Sequence, residues 1–183
     1  MNKSKGEKIM AVKKDRNIFI LRSANTGDED IKTGYADVEL EQGFAVGLGE
    51  VSADRKHRGA FKLAAPKTGD LVGLVYNATT PFLKDERGNI YKTEVTDPRN
   101  IYFIEGTNVD VWMPGSNSEI ALTNVEGTEE GAKYVVYKAD SMKPQYATDK
   151  TGALLAFKIT GKSFISVGAD RVPSVEAIKV PVE

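Results

Sequence analysis

The stretch from Tyr35 to Leu83, YADVELEQGFAVGLGEVSADRKHRGAFKLAAPKTGDLVGLVYNATTPFL, leaves little choice of fold class. Asp37, Glu39 and Glu41 alternate with Val38 and Leu40, which on a strand puts carboxylates on one face and apolar side chains on the other. Phe61, Leu63 and Ala65 repeat the period of two, and Thr68-Gly69-Asp70 turns the chain into the apolar run Leu71 to Tyr76. Glycine and polar turns interrupt the pattern too often for a helix of useful length. Gly47 and Gly49 suggest bulges or a close backbone approach.

The rest of the chain reads the same way. Asn17–Arg22 is a strand, and Ser23–Lys32 (SANTGDEDIK) reads as a loop. Strands are expected at 34–40, 44–51, 61–65 and 71–76, with a hairpin tip at Asp85–Asn89. Further strands are expected at 101–104, 109–113, 120–125, 134–138, 154–160, 164–167 and 178–182, the last suited to an edge because it holds Pro181. No apolar stripe of helical period runs beyond two turns. The expectation is an all-β protein: a sandwich or barrel-like body of short antiparallel strands, little helix, and an extended N-terminal arm. Residues 1–16 form that arm, with six Lys/Arg against two acids. Residues 17–95 form a β subdomain, and 96–183 form a second one or continue the first, with a soft boundary near Thr93–Arg99.

Composition narrows the function classes. A chain of 183 residues, 40% hydrophobic and 28% charged, can bury a core without staples. The absence of cysteine excludes thiol chemistry, iron–sulfur clusters and cysteine-ligated zinc. A net charge of −1 argues against a dedicated nucleic-acid binder. Ile18–Leu21 is too short for a signal core, so synthesis in the cytoplasm is the expectation, and Asn77-Ala78-Thr79 carries no glycosylation meaning there.

Candidate chemistry is sparse. His57, the one histidine, lies in Arg55-Lys56-His57-Arg58 with no nucleophile motif and reads as a solvated loop residue. Asp28-Glu29-Asp30 lacks the spacing of a calcium loop, and Gly47-Leu48-Gly49 lacks the lysine and helix of a phosphate loop. Asp37, Glu39 and Glu41 sit on one strand rather than facing each other across a substrate, so a solvated face or a docking surface for a basic partner is the better reading. From Asp54 to Lys67 five cations, Arg55, Lys56, Arg58, Lys62 and Lys67, meet one acid without the interleaved aromatics of a nucleic-acid site. Trp112 and the tyrosines Tyr91, Tyr102, Tyr134, Tyr137 and Tyr146 read as core or rim packing. No enzyme and no cofactor is expected.

The order ADVELEQGFAVGLGEVS, a charged turn, then FKLAAPKTGDLVGLVYNATTPFL resembles the capsid decoration (cement) proteins of tailed bacteriophages. In that family an acidic strand, a glycine-bearing strand, a charged linker and a "P.tgd" segment follow one another. The matching residues here are Glu39–Gly43, Val46–Gly49, Phe61–Asp70 and Gly73–Pro81. The resemblance implies a non-enzymatic virion protein on the outer capsid surface, assembled in the host cytoplasm, with the major capsid protein as partner. It also implies self-association, for instance as a homotrimer, with no membrane and no specific nucleic acid. The docking candidates are then Lys8, Lys13, Lys14 and Arg16 of the arm, the cations Arg55, Lys56 and Arg58, and the acids Asp37, Glu39 and Glu41. The alternatives are a tail, neck or head-fibre component, or a small carbohydrate- or nucleotide-binding β module or enzyme resting on Asp37, Glu39, Glu41 and Trp112.

Overall fold

A computed structural model describes residues 16–23, 30–76, 82–84, 90–92 and 98–182. Over these residues the protein is all-β, with a single 3-10 turn at Pro98–Asn100. The strands are β1 (Phe19–Ser23), β2 (Asp30–Tyr35), β3 (Ala45–Val51), β4 (Phe61–Ala64), β5 (Leu71–Val75), β6 (Phe82–Lys84) and β7 (Ile90–Lys92). They continue as β8 (Asn108–Met113), β9 (Glu119–Leu122), β10 (Tyr134–Lys138), β11 (Gln145–Ala147), β12 (Ala153–Val167) and β13 (Asp170–Val180). Strands β2-β4-β3-β5-β8 close into a barrel, and β1-β9-β13-β12-β10-β11 form an open sheet. β6 and β7 pair antiparallel as a separate two-stranded sheet.

A five-stranded barrel has a narrow interior. Val46, Leu63, Val75, Val109 and Val111 fill it, and Leu40 and Phe103 join the same cluster. Those two exchange backbone hydrogen bonds of 2.9 and 2.8 Å. Two strand glycines make the closure fit. A Cβ on Gly34 would lie 2.5 Å from the Leu63 side chain, and one on Gly73 would lie 2.5 Å from Val111 and 2.9 Å from the Trp112 carbonyl. Closure is completed by a short parallel seam, Gly34 with Phe61 and Tyr35 with Lys62.

The barrel's outer face carries the main core. Ala45, Leu74 and Trp112 pack on Phe19, Ile120, Leu122, Val135, Tyr137, Phe157 and Val175 of the sheet. Trp112 is 1% exposed. A side chain of that size buries roughly 150–250 Å², worth about 4–6 kcal/mol at ~25 cal/mol per Å². The two layers are not successive halves of the chain. Residues 17–95 supply β2–β5 to the barrel and β1 to the sheet, while 96–183 supply β8 to the barrel and β9–β13 to the sheet.

Several expected boundaries are corrected. The strand expected at 34–40 runs instead over Asp30–Tyr35, because pairing with β8 along its whole length outweighs the polar composition of Asp30–Lys32. Val38 is therefore exposed rather than buried. The strand expected at 101–104 is only a bridge at Phe103. Two short strands expected at 154–160 and 164–167 are one strand, β12, with a register shift between Ile159 and Gly161. β13 starts at Asp170, well before the expected 178. The hairpin β12–β13 outruns its neighbours: β9 pairs with β13 only over Val175–Ile178, and β10 with β12 only over Ala153–Lys158. Past the shift, Ile165, Val167 and Val172 cluster with Ile18 and Ile20, on the side of β1 away from the main core.

Candidate functional site

The segment Glu39–Gly43, which carries the acidic part of the resemblance, is where residues 16–19 meet the junction of barrel and sheet. Gly43 adopts φ 74°, and a Cβ there would lie 2.7 Å from the Asn17 amide and 3.0 Å from Leu122. Its N–H donates to the Val75 carbonyl at 2.7 Å, and its own carbonyl accepts from the Tyr137 hydroxyl at 2.9 Å. Burial pushes the Tyr137 phenol far above its ordinary range. Asn17, itself buried, donates to the Gln42 carbonyl at 2.8 Å.

Arg16 is clamped onto this junction. Its Nη1 lies 2.5 Å from Glu39 Oε1 and 3.2 Å from Glu41 Oε1. The guanidinium carbon sits 3.9 Å from the centroid of the Tyr102 ring, a cation–π contact. The Asn17 N–H donates to Glu41 Oε2 at 3.1 Å. Two carboxylates and a ring thus hold one cation whose side chain is only 11% exposed. Asp37 is engaged elsewhere, 2.8 Å from Lys62 Nζ, and this partner holds its carboxyl below the usual carboxylate range. The three acids therefore do not form one free face, because Glu39 and Glu41 turn toward Arg16 and Asp37 turns toward Lys62.

The cationic turn between β3 and β4 is a second feature. Arg55, Lys56 and Arg58 are all exposed. His57 between them is not solvated as expected: it is 7% exposed. Its imidazole stacks on Tyr35 with centroids 4.0 Å apart and planes within 6°. Its Nδ1 lies 2.7 Å from Asn108 Oδ1, a pairing in which Nδ1–H donates. A short sequence window could not reveal this, because Tyr35 and Asn108 come from β2 and β8.

The remaining candidates are quickly placed. Lys8, Lys13 and Lys14 lie outside the described residues, as do the expected tip at 85–89, the sequon at 77–79 and residues 93–97 of the soft boundary. Gly49 stands at a register shift between Leu48 and Val51, and a Cβ on Gly47 would meet Asp70 at 2.4 Å. Trp112, buried between barrel and sheet, has no face free for a sugar or base. With Asp37, Glu39 and Glu41 ion-paired, the residues on which a ligand-binding module was argued are occupied. A cleft of about 220 Å³ between the layers is lined by Asp70, Leu71, Met113 and Lys179 among others. Its polar groups are spent locally: Asp70 accepts the Lys67 N–H at 2.8 Å, and Lys179 donates to the Pro114 carbonyl. Among the described residues no three His, Asp or Glu side chains gather as a metal site. No described helix is long and apolar enough to cross a membrane.

Against this geometry, comparison with protein-family models, with curated proteins and with solved structures found no match.

Proposed function

We propose that this protein is a non-enzymatic structural component of a tailed-phage virion that binds the outer capsid surface and reinforces the shell. The observation that carries the reading is the clamp on Arg16. It fixes the root of a basic N-terminal segment to the junction of barrel and sheet, next to the residues that resemble decoration proteins. A tether works best when its root is fixed, because less freedom is lost when the tether engages. The closed barrel and the packed sheet supply the rigid body that a bridge between capsid subunits needs. The partner in this reading is the major capsid protein, and self-association on the lattice follows from the symmetry of a shell.

The test is cosedimentation of the full chain, and of a chain lacking residues 2–14, with capsid shells that lack the protein. The full chain is expected to pellet with the shells. The shortened chain is expected to bind about tenfold more weakly, with the gap narrowing as salt is raised through the Debye regime. A full chain that stays in the supernatant at low and high salt contradicts the proposal. A tail, neck or head-fibre placement would show as binding to tail or neck assemblies instead of shells.

A further inference from the structure

We infer that the turn Ser52–Ala60 is a preformed docking element for an acidic protein surface, with His57 as the residue that positions it. The inference stands apart from the capsid reading, which would supply one such surface.

Three observations converge on the turn. The first is charge without local use. Arg55, Lys56 and Arg58 are exposed and make no ion pair among the described residues, whereas Arg16, Arg22, Lys62, Arg99 and Lys143 each face a carboxylate. The turn's own acid, Asp54, interacts with backbone: its carboxylate faces the Lys56 N–H and its carbonyl accepts from the His57 N–H. The second is rigidity. Ser52 N–H donates to the Ala60 carbonyl at 2.8 Å, Gly59 N–H to Ser52 at 3.0 Å, and Ala60 N–H to His57 at 2.9 Å. Gly59 takes φ 82°, which lets the chain reverse without strain. His57 then pins the loop to the barrel wall through Tyr35 and Asn108. A histidine placed inward with cations on either side leaves those cations to point outward. The third is the surroundings. Val51, 55% exposed, leads directly into the turn and offers apolar contact beside the charges. The turn has no aromatic side chain except buried His57, so it offers no platform on which a base could stack. That combination fits carboxylates on a protein better than nucleic acid. A turn whose backbone is held in place by the fold loses little backbone freedom on binding and presents its cations at a fixed spacing, which favours a partner with matching charges.

The experiment measures binding of the full chain to immobilised poly-L-glutamate, with oligo(dT) of matched charge as the competing probe. The triple variant R55A/K56A/R58A is compared with a charge-matched control, K133A/K138A/K158A, whose lysines are exposed on strands of the sheet or beside them. The turn variant is expected to lose about tenfold in affinity for polyglutamate and the control less than about twofold, since fixed complementary charge matters more than net charge. His57→Ala keeps all three cations. It is expected to speed hydrogen exchange at the Gly59 and Ala60 amides and to cost a roughly threefold loss in affinity, with His57→Phe restoring much of it through the stack on Tyr35. Equal losses in the turn and control variants would overturn the docking element, and so would tighter binding to oligo(dT) than to polyglutamate. Faster exchange in His57→Ala with unchanged affinity would overturn the positioning role. Capsid cosedimentation of the same variants separates the two readings. Unchanged shell binding by the turn variant, alongside lost polyglutamate selectivity, removes shells as the turn's partner and spares the capsid reading. Intact selectivity in a chain that ignores shells removes the capsid reading and spares the turn.

Discussion

At the scale of single residues, the fold depends on places where a side chain is absent and on one place where it is deeply buried. Gly73 faces the barrel interior with no room for a Cβ. Gly73→Ala is therefore expected to destabilise the protein by about 1–3 kcal/mol in urea unfolding, because the nearest obstacles include backbone that cannot give way. An unchanged midpoint would show that the barrel breathes more than the geometry implies. Tyr137 donates to the Gly43 carbonyl from full burial. Its phenol titrates near its ordinary ~10 in the unfolded chain and stays neutral far higher in the folded one. The folded-state pKa is raised, so this contribution to stability is whole below about pH 10 and drains away as pH rises beyond it. Tyr137→Phe is expected to cost about 1–2 kcal/mol at neutral pH and to flatten the alkaline decline, read from denaturation curves at pH 7 to 11. His57 shows what the sequence hides at this scale. Its flanking cations look like solvent, and nothing local announces a stacking partner on β2 and a hydrogen-bond partner on β8.

At the scale of elements, period-two alternation reported β4, whose burial alternates, while β5 and β10 were reported as short apolar runs and are buried at three successive residues each. It failed where pairing overrides composition. β2 begins in residues that read as loop, and β13 begins at Asp170, ahead of the expected strand at 178–182, and runs through Pro173. Pro173 is tolerated because β13 at that point has β12 on one side and, among the described residues, no strand on the other. The overhanging β12–β13 hairpin instead covers the side of β1 that carries Ile18 and Ile20. Ile165→Ala should therefore loosen β1 more than the barrel. The expected cost is about 2–4 kcal/mol overall, with exchange rising first at the amides of Phe19–Leu21. Protection lost first in β3 or β5 would contradict this coupling.

At the scale of the whole molecule, the all-β class was legible, because it follows from turn chemistry and alternation spread over the chain. The layer plan was not, because β1 joins strands that lie a hundred residues further on, as in Phe19 with Leu122, and β8 joins a barrel built mostly from earlier strands. The site was legible in part. Those of the singled-out acids and cations that lie among the described residues are on the surface or at its edge, but Glu39 and Glu41 serve as a clamp for Arg16 and not as an open face. In the cationic turn three charges, unpaired among the described residues, sit on one short loop, and the fold explains why that loop's backbone is held in place. The clamped root, the rigid body and the cationic turn suit a protein that binds and reinforces.

The most direct measurement is quantitative mass spectrometry of purified virus particles from the source of this chain. The account predicts copies that scale with the major capsid protein, on the order of hundreds per particle, as symmetric occupation of a shell requires. Absence of the chain from the particles would contradict it.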